Sequence, residues 1–97
     1  MDIERVKENE AYLNECTDVT AALNEQLDRM DAVREHMINL FSYYGSEAWY
    51  EDREGQLPAG VAAGVLSEDL VYDQITEVRD AAFRMLELAT DILKNRI

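Results

Sequence analysis

From Ile3 to Tyr44 the chain contains neither glycine nor proline, and its apolar residues return in alternating steps of three and four. With Val6 at position a of a heptad, the a series reads Val6, Leu13, Thr20, Leu27, Arg34 and Phe41. The d series reads Asn9, Cys16, Leu23, Met30, Met37 and Tyr44. Apart from Asn9, Thr20 and Arg34 these positions are apolar, as the seam of a helical bundle requires. Val19, Val33, Ile38 and Leu40 widen the stripe beyond a two-stranded seam, so the face fits a bundle better than a lone coiled-coil pair. The pattern predicts a helix over 2–44, closed by a left-handed Gly45.

Ser46 then starts a short helix over 47–54, with Glu47 in its first turn, and Gly55 stops it. "GQLPAGVAAG" opens a connector over 55–66 with three glycines and the chain's one proline. No Gly-Lys-Ser/Thr follows, so it is not a phosphate loop. Its Gly60-x-x-x-Gly64 spacing matches a membrane-packing motif, but the apolar run around it is too short to span. Ser67 caps a last helix over 67–95, where Glu68 and Asp69 complement the helix dipole and Leu66 can staple against Val71. Its stripe runs through Val71, Ile75, Val78, Ala82, Met85/Leu86, Ala89 and Ile92/Leu93. The whole of 1–97 reads as a single helical domain, with no repeat and no low-complexity tract.

Length turns these helices into an architecture. At ~1.5 Å per residue the first helix measures about 60 Å and the last about 42 Å. An antiparallel hairpin leaves about 18 Å of the first helix, around Ile3–Leu13, without a partner. Two helices also cannot enclose two stripes this wide. Either the first helix breaks near Thr17–Asp18 and folds back, or a second copy covers both. The expected fold is therefore all-α: a long antiparallel helical hairpin with a short helix at the turn, dimerising into a four-helix bundle.

Charge changes the picture next. Nine Lys and Arg against 21 Asp and Glu give a net charge of −12, which disfavours nucleic-acid binding. The excess is densest at 45–70, where six acids face the one base Arg53. No run approaches the ~18 apolar residues of a membrane span, and the charged start "MDIERVKENE" lacks a secretory h-region. With one cysteine, Cys16, and no disulfide to form, the expected location is the reducing cytoplasm.

Candidate chemistry is sparse. His36, the one histidine, falls at heptad position c and reads as a surface residue. A carboxylate di-metal bundle needs Glu-x-x-His twice, and Val33 stands three residues before His36. Cys16 at a d position reads as a small buried hydrophobe rather than a reactive thiol. Arg34 at an a position reads as a register or pairing device. Glu47, Glu51, Asp52 and Glu54 lack the alternating ligands and glycine of a calcium loop, and on a helix form a solvated face. No catalytic residue, cofactor or metal is expected.

What remains is "YYGSEAWYEDRE", residues 43–54. Phe41, Tyr43, Tyr44, Trp49 and Tyr50 place five of the chain's eight rings within ten residues. Phe41, Tyr44 and Trp49 are expected to close the end of the bundle. Tyr43, Tyr50, Trp49, Glu47, Glu51 and Asp52 form the candidate partner-binding surface, since Trp and Tyr dominate interface hot spots. The expected function is a non-enzymatic protein–protein interaction or structural module. The rivals are an acidic decoy that mimics nucleic acid and an enzyme using the Tyr/Trp/acid corner. A solvent-connected cavity lined by Tyr44, Trp49 and Asp52 would favour the enzyme.

"YYGSEAWYEDRE", the following "LP", "GVLSEDLVYD" and "RMLELATDIL" together resemble a small bacterial family, domain of unknown function 4298. The resemblance covers essentially the whole chain and is most specific between Tyr43 and Asp73. It implies a stand-alone helical protein of the bacterial cytoplasm, and it assigns no activity and no residue role.

Overall fold

Asp2 opens the first helix: its Oδ1 accepts the backbone N–H of Arg5 at 3.1 Å, so a carboxylate caps the positive end of the dipole. In the computed structural model, which describes residues 1–95, helix α1 then runs from Ile3 to Tyr43. It crosses Thr17–Asp18 unbroken, and the Thr17 hydroxyl donates to the Leu13 carbonyl at 2.8 Å within the helix. The break that would fold the helix back on itself is not made. Gly45 ends the segment at φ +76, a left-handed conformation that costs an L side chain about 1–2 kcal/mol. The turn is held by the Tyr44 N–H on Leu40 O at 3.0 Å and the Ser46 N–H on Tyr43 O at 2.9 Å.

Helix α2 spans Glu47–Glu54, and the Ser46 hydroxyl accepts the Trp49 N–H at 3.2 Å as its cap. The chain then turns tightly at Pro58–Val61, where Gly60 adopts φ +87 and the Val61 N–H reaches Pro58 O at 3.3 Å. A single 3₁₀ turn, Gly64–Leu66, brings the chain to Ser67, whose hydroxyl accepts the Leu70 N–H at 3.3 Å. Helix α3 runs from Glu68 to Lys94, and Asn95 caps its end with backbone and side-chain bonds to Asp91 O. The protein is all-α: among the described residues there are three α-helices, one 3₁₀ turn and no strand. None of the described helices is long and apolar enough to cross a membrane.

The chain divides into two compact units, Met1–Ile38 and Asn39–Ile97. The first is α1 up to Ile38. It buries no residue, and its seam lies open, with Leu13 58%, Leu23 50% and Leu27 43% exposed. The second unit holds the two residues of the described chain that are buried, Trp49 at 1% and Val71 at 5% exposure. Its small core is made by the end of α1, α2, the 3₁₀ turn and the start of α3.

Candidate functional site

The corner at Tyr43–Glu54 is built around one indole. Ser46 starts α2 so that Trp49 falls in its first turn and points inward, where its Nε1–H donates to the Val65 carbonyl at 2.9 Å. A buried indole needs such an acceptor, and the 3₁₀ turn supplies it. Tyr44 and Tyr50 each meet the indole edge-on, with ring centroids 5.0 Å away and interplanar angles of 66° and 75°. The Arg53 guanidinium stacks over the same ring, 4.6 Å from its centroid. One base of the acidic middle segment is thereby held as a cation–π partner rather than as a free surface charge.

Two tyrosine hydroxyls tie the corner to its surroundings. Tyr43, at the end of α1, donates its hydroxyl to Asp52 Oδ2 on α2. Tyr44 donates to the Glu68 carbonyl at 3.2 Å, at the start of α3. The bond to Asp52 is the main cause of a Tyr43 pKa raised above the ordinary 10.0, with desolvation and the Asp52 charge adding to it. Burial pushes the Tyr44 hydroxyl up too, followed by the charge of Glu68.

Beside this bond lies an open pocket of about 360 Å³. Tyr43, Glu51 and Asp52 form its polar side, and Leu57, Val61, Val65 and Leu66 form its apolar side. Chemically it offers carboxylate acceptors next to an aliphatic wall, an arrangement that suits a cationic group carried on an apolar stem. Tyr43 and Asp52 satisfy each other across its edge.

The residues singled out from the sequence separate here into three groups. Tyr43, Glu51 and Asp52 come together on the pocket. Tyr50, 56% exposed, and the exposed Glu47 lie outside it. Trp49 is the centre of the corner and presents no surface of its own. Neither Trp49 nor Tyr44 lines the pocket, so the cavity that would favour an enzyme, one walled by Tyr44, Trp49 and Asp52, is not the cavity found. Leu57, Val61, Val65 and Leu66 were not singled out as site residues. Their signal was available in the spacing of large apolar residues along a connector otherwise made of glycine, alanine, one proline and Gln56.

Outside the corner, His36 is exposed on α1. Arg34 pairs with Asp31 of its own helix at 3.4 Å, both side chains well exposed. Cys16 is exposed within one chain rather than buried. The reason is that α1 buries nothing by itself, so a seam position on it is interior only when something covers the seam.

The Tyr43–Asp52 bond yields a titration test. A raised pKa means that the fold favours the neutral phenol. The corresponding stability is fully present below the ordinary value of 10.0 and is lost as pH rises through the higher folded-state value. Asp52→Asn removes the carboxylate acceptor and is expected to bring the Tyr43 ionisation down toward the ordinary value. Phenolate absorbance, read as a difference against Tyr43→Phe, measures it; an unmoved Tyr43 titration would show that the bond does not form in solution.

No curated protein and no solved structure matches the chain. One family model does, over residues 6–88, a span that includes the α1 seam, the corner, the pocket wall and most of α3. By that match the chain belongs to the family described as a domain of unknown function (DUF4298).

Proposed function

We propose that this protein is a non-enzymatic interaction or structural module of the cytoplasm. It works as a homodimer in which the long helices of two chains form a four-helix bundle, and it engages a protein partner through the acidic, aromatic corner. The observation that carries this reading is the apolar surface left open by one chain. Along α1 Leu13, Leu23 and Leu27 are exposed, and along the α3 stripe Met85, Leu86, Ile92 and Leu93 are each more than 40% exposed. Surfaces of this extent on a water-soluble chain mark interfaces rather than solvated faces. A second copy is the economical occupant, because both stripes then meet faces of the same width and period.

The corner supports the second half of the reading. Trp49 fills the interior, and Tyr43 and Asp52 bond to each other, which suits a preformed docking surface better than a reactive centre. The exposed Tyr50, Glu47 and Glu51 and the apolar pocket wall favour a partner segment with basic and aliphatic side chains.

Light scattering tests the dimer. The expected mass at micromolar concentration is twice the 11.1 kDa of the chain. A mass of one chain, unchanged as concentration rises, would overturn the reading.

A further inference from the structure

The α1 seam is uneven in a way that identifies its occupant. Between Cys16 and Asn24 small side chains leave the surface low and open: Cys16 and Thr20 on the seam, with Thr17, Ala21 and Asn24 beside it. Along the seam the small Cys16 and Thr20 are followed by the large Leu23, Leu27 and Met30. The three polar seam residues are also placed asymmetrically, Asn9 in the first quarter of the helix, Thr20 near its middle and Arg34 in its last quarter. Small and large, and the two polar ends, are arranged as complements of each other about a point near Ala21–Ala22.

We propose that α1 is covered by α1 of a second copy, running antiparallel, with the two-fold axis level with Ala21–Ala22, so that Asn9 meets the partner's Arg34. The inference rests on the homodimer reading above and adds which helix pairs with which, in what direction and in what register. It uses the unit Met1–Ile38 alone.

In this register the partner's Leu27 falls opposite Cys16 and the partner's Leu23 opposite Thr20, so large residues meet small ones on both sides of the axis. Leu13 meets the partner's Met30, and Val6 the partner's Met37. The polar layer closes as well. The Asn9 amide donates to the Arg5 carbonyl at 2.8 Å, which leaves its Oδ1 to accept from a guanidinium. Arg34 is exposed and held by Asp31 at 3.4 Å. Across the axis it comes beside the partner's Glu10 as well, and so sits between two carboxylates that would otherwise repel.

The alternatives each bury a mismatch. A parallel, in-register pair sets Arg34 against the partner's Arg34 and the small Cys16 and Thr20 against their own copies, leaving the seam underpacked there. Sliding the antiparallel pair by one heptad sets Arg34 opposite the partner's Cys16 in one direction and Asn9 opposite the partner's Leu27 in the other. A lone polar residue in a seam commonly fixes register in this manner.

The native thiol makes the register measurable. In the antiparallel pair the two Cys16 residues lie roughly 16 Å apart along the axis, beyond the ~7 Å Cα separation a disulfide tolerates. Diamide treatment of the unmodified protein is therefore expected to leave it uncrosslinked. Leu27→Cys is expected to give a covalent dimer in which peptide mapping finds Cys16 joined to the introduced thiol. Those two positions are about 16 Å apart on one helix, so this bond can form only between chains. A Cys16–Cys16 bond, a bond between the two introduced thiols, or no crosslink in a protein that still scatters as a dimer would overturn the register while leaving the homodimer standing. A single-chain mass for the unmodified protein would overturn both. Asn9→Glu keeps the test independent of the crosslink: the antiparallel pair is expected to tighten by several-fold to about tenfold, and a weakened dimer would overturn the proposal.

Discussion

Trp49→Ala is expected to unfold the corner locally and to cost about 3–5 kcal/mol, the usual range for emptying a fully buried large aromatic site. Trp49 is 1% exposed, and it is the common partner of Tyr44, Tyr50 and Arg53. Its Nε1–H is also the bond at 2.9 Å that holds the Val65 carbonyl and with it the 3₁₀ turn. Alanine removes all of these together, and with Val71 as the second buried residue there is little else to compensate. Trp49→Phe separates the contributions: it keeps most of the ring and leaves the Val65 carbonyl without its donor, for about 1–3 kcal/mol. Hydrogen exchange gives the local readout. Amides of 47–66 should lose protection in Trp49→Ala, whereas those of α1 within Met1–Ile38 should not change. Undiminished protection across 47–66 would show that the indole does not hold the corner.

The parts of this corner that could be read from sequence were those decided by backbone chemistry. Gly45 must take a left-handed turn, Ser46 and Ser67 are each the hydroxyl residue before a first turn that opens on a glutamate, and all three act as their positions require. The inward place of Trp49 follows from the same logic, since a first-turn indole on a short acidic helix has one apolar direction to face. What could not be read was anything that depended on the connector's path. Val65 accepts from Trp49 across 16 residues, and the connector's Leu57 and Val61 reach the pocket only because Gly60 turns at φ +87. Sequence period carries no information about where such a loop returns. Arg53, in the sequence the one base among the acids of 45–70, became a ring partner for the same reason: it follows Trp49 by four positions on α2, which is legible, but the indole face left open to it depends on how Tyr44 and Tyr50 take the edges.

The long helix presents the opposite case. Its helix and the spacing of its apolar residues were legible, and the burial of those residues was not, because burial of a helix face is a property of what covers it. Cys16 illustrates this: a d position by period, exposed in the isolated chain. The same reasoning separates the two surfaces this protein offers. The α1 seam is mostly apolar and, in the register proposed, self-complementary, which suits a permanent partner. The corner is acidic, built on a preformed pocket and ringed with tyrosines, which suits one that comes and goes.

Leu23→Glu should therefore have the largest effect of any single substitution on α1. Leu23 lies beside the centre of the helix and is half exposed in one chain, so within the chain a glutamate meets only water and costs little. In a dimer with its axis near Ala21–Ala22, two glutamates enter the seam close together, each facing a threonine and no cation. An unpaired charge buried in this way costs about 3–5 kcal/mol, which corresponds to a dissociation constant raised roughly a hundredfold to several thousandfold. The helix itself should suffer next. With no buried residue of its own, α1 is stabilised in water chiefly by what packs on it, and isolated helices are marginal even when long. The expected result is a mass of one chain by light scattering together with a loss of helical circular dichroism, while Trp49 fluorescence keeps the signature of a buried indole. The two readouts must move apart. A variant that stays dimeric and fully helical would show that the α1 seam is not the interface. A variant that loses the buried Trp49 signal as well would show that the corner depends on dimerisation, against its reading as a self-supporting core.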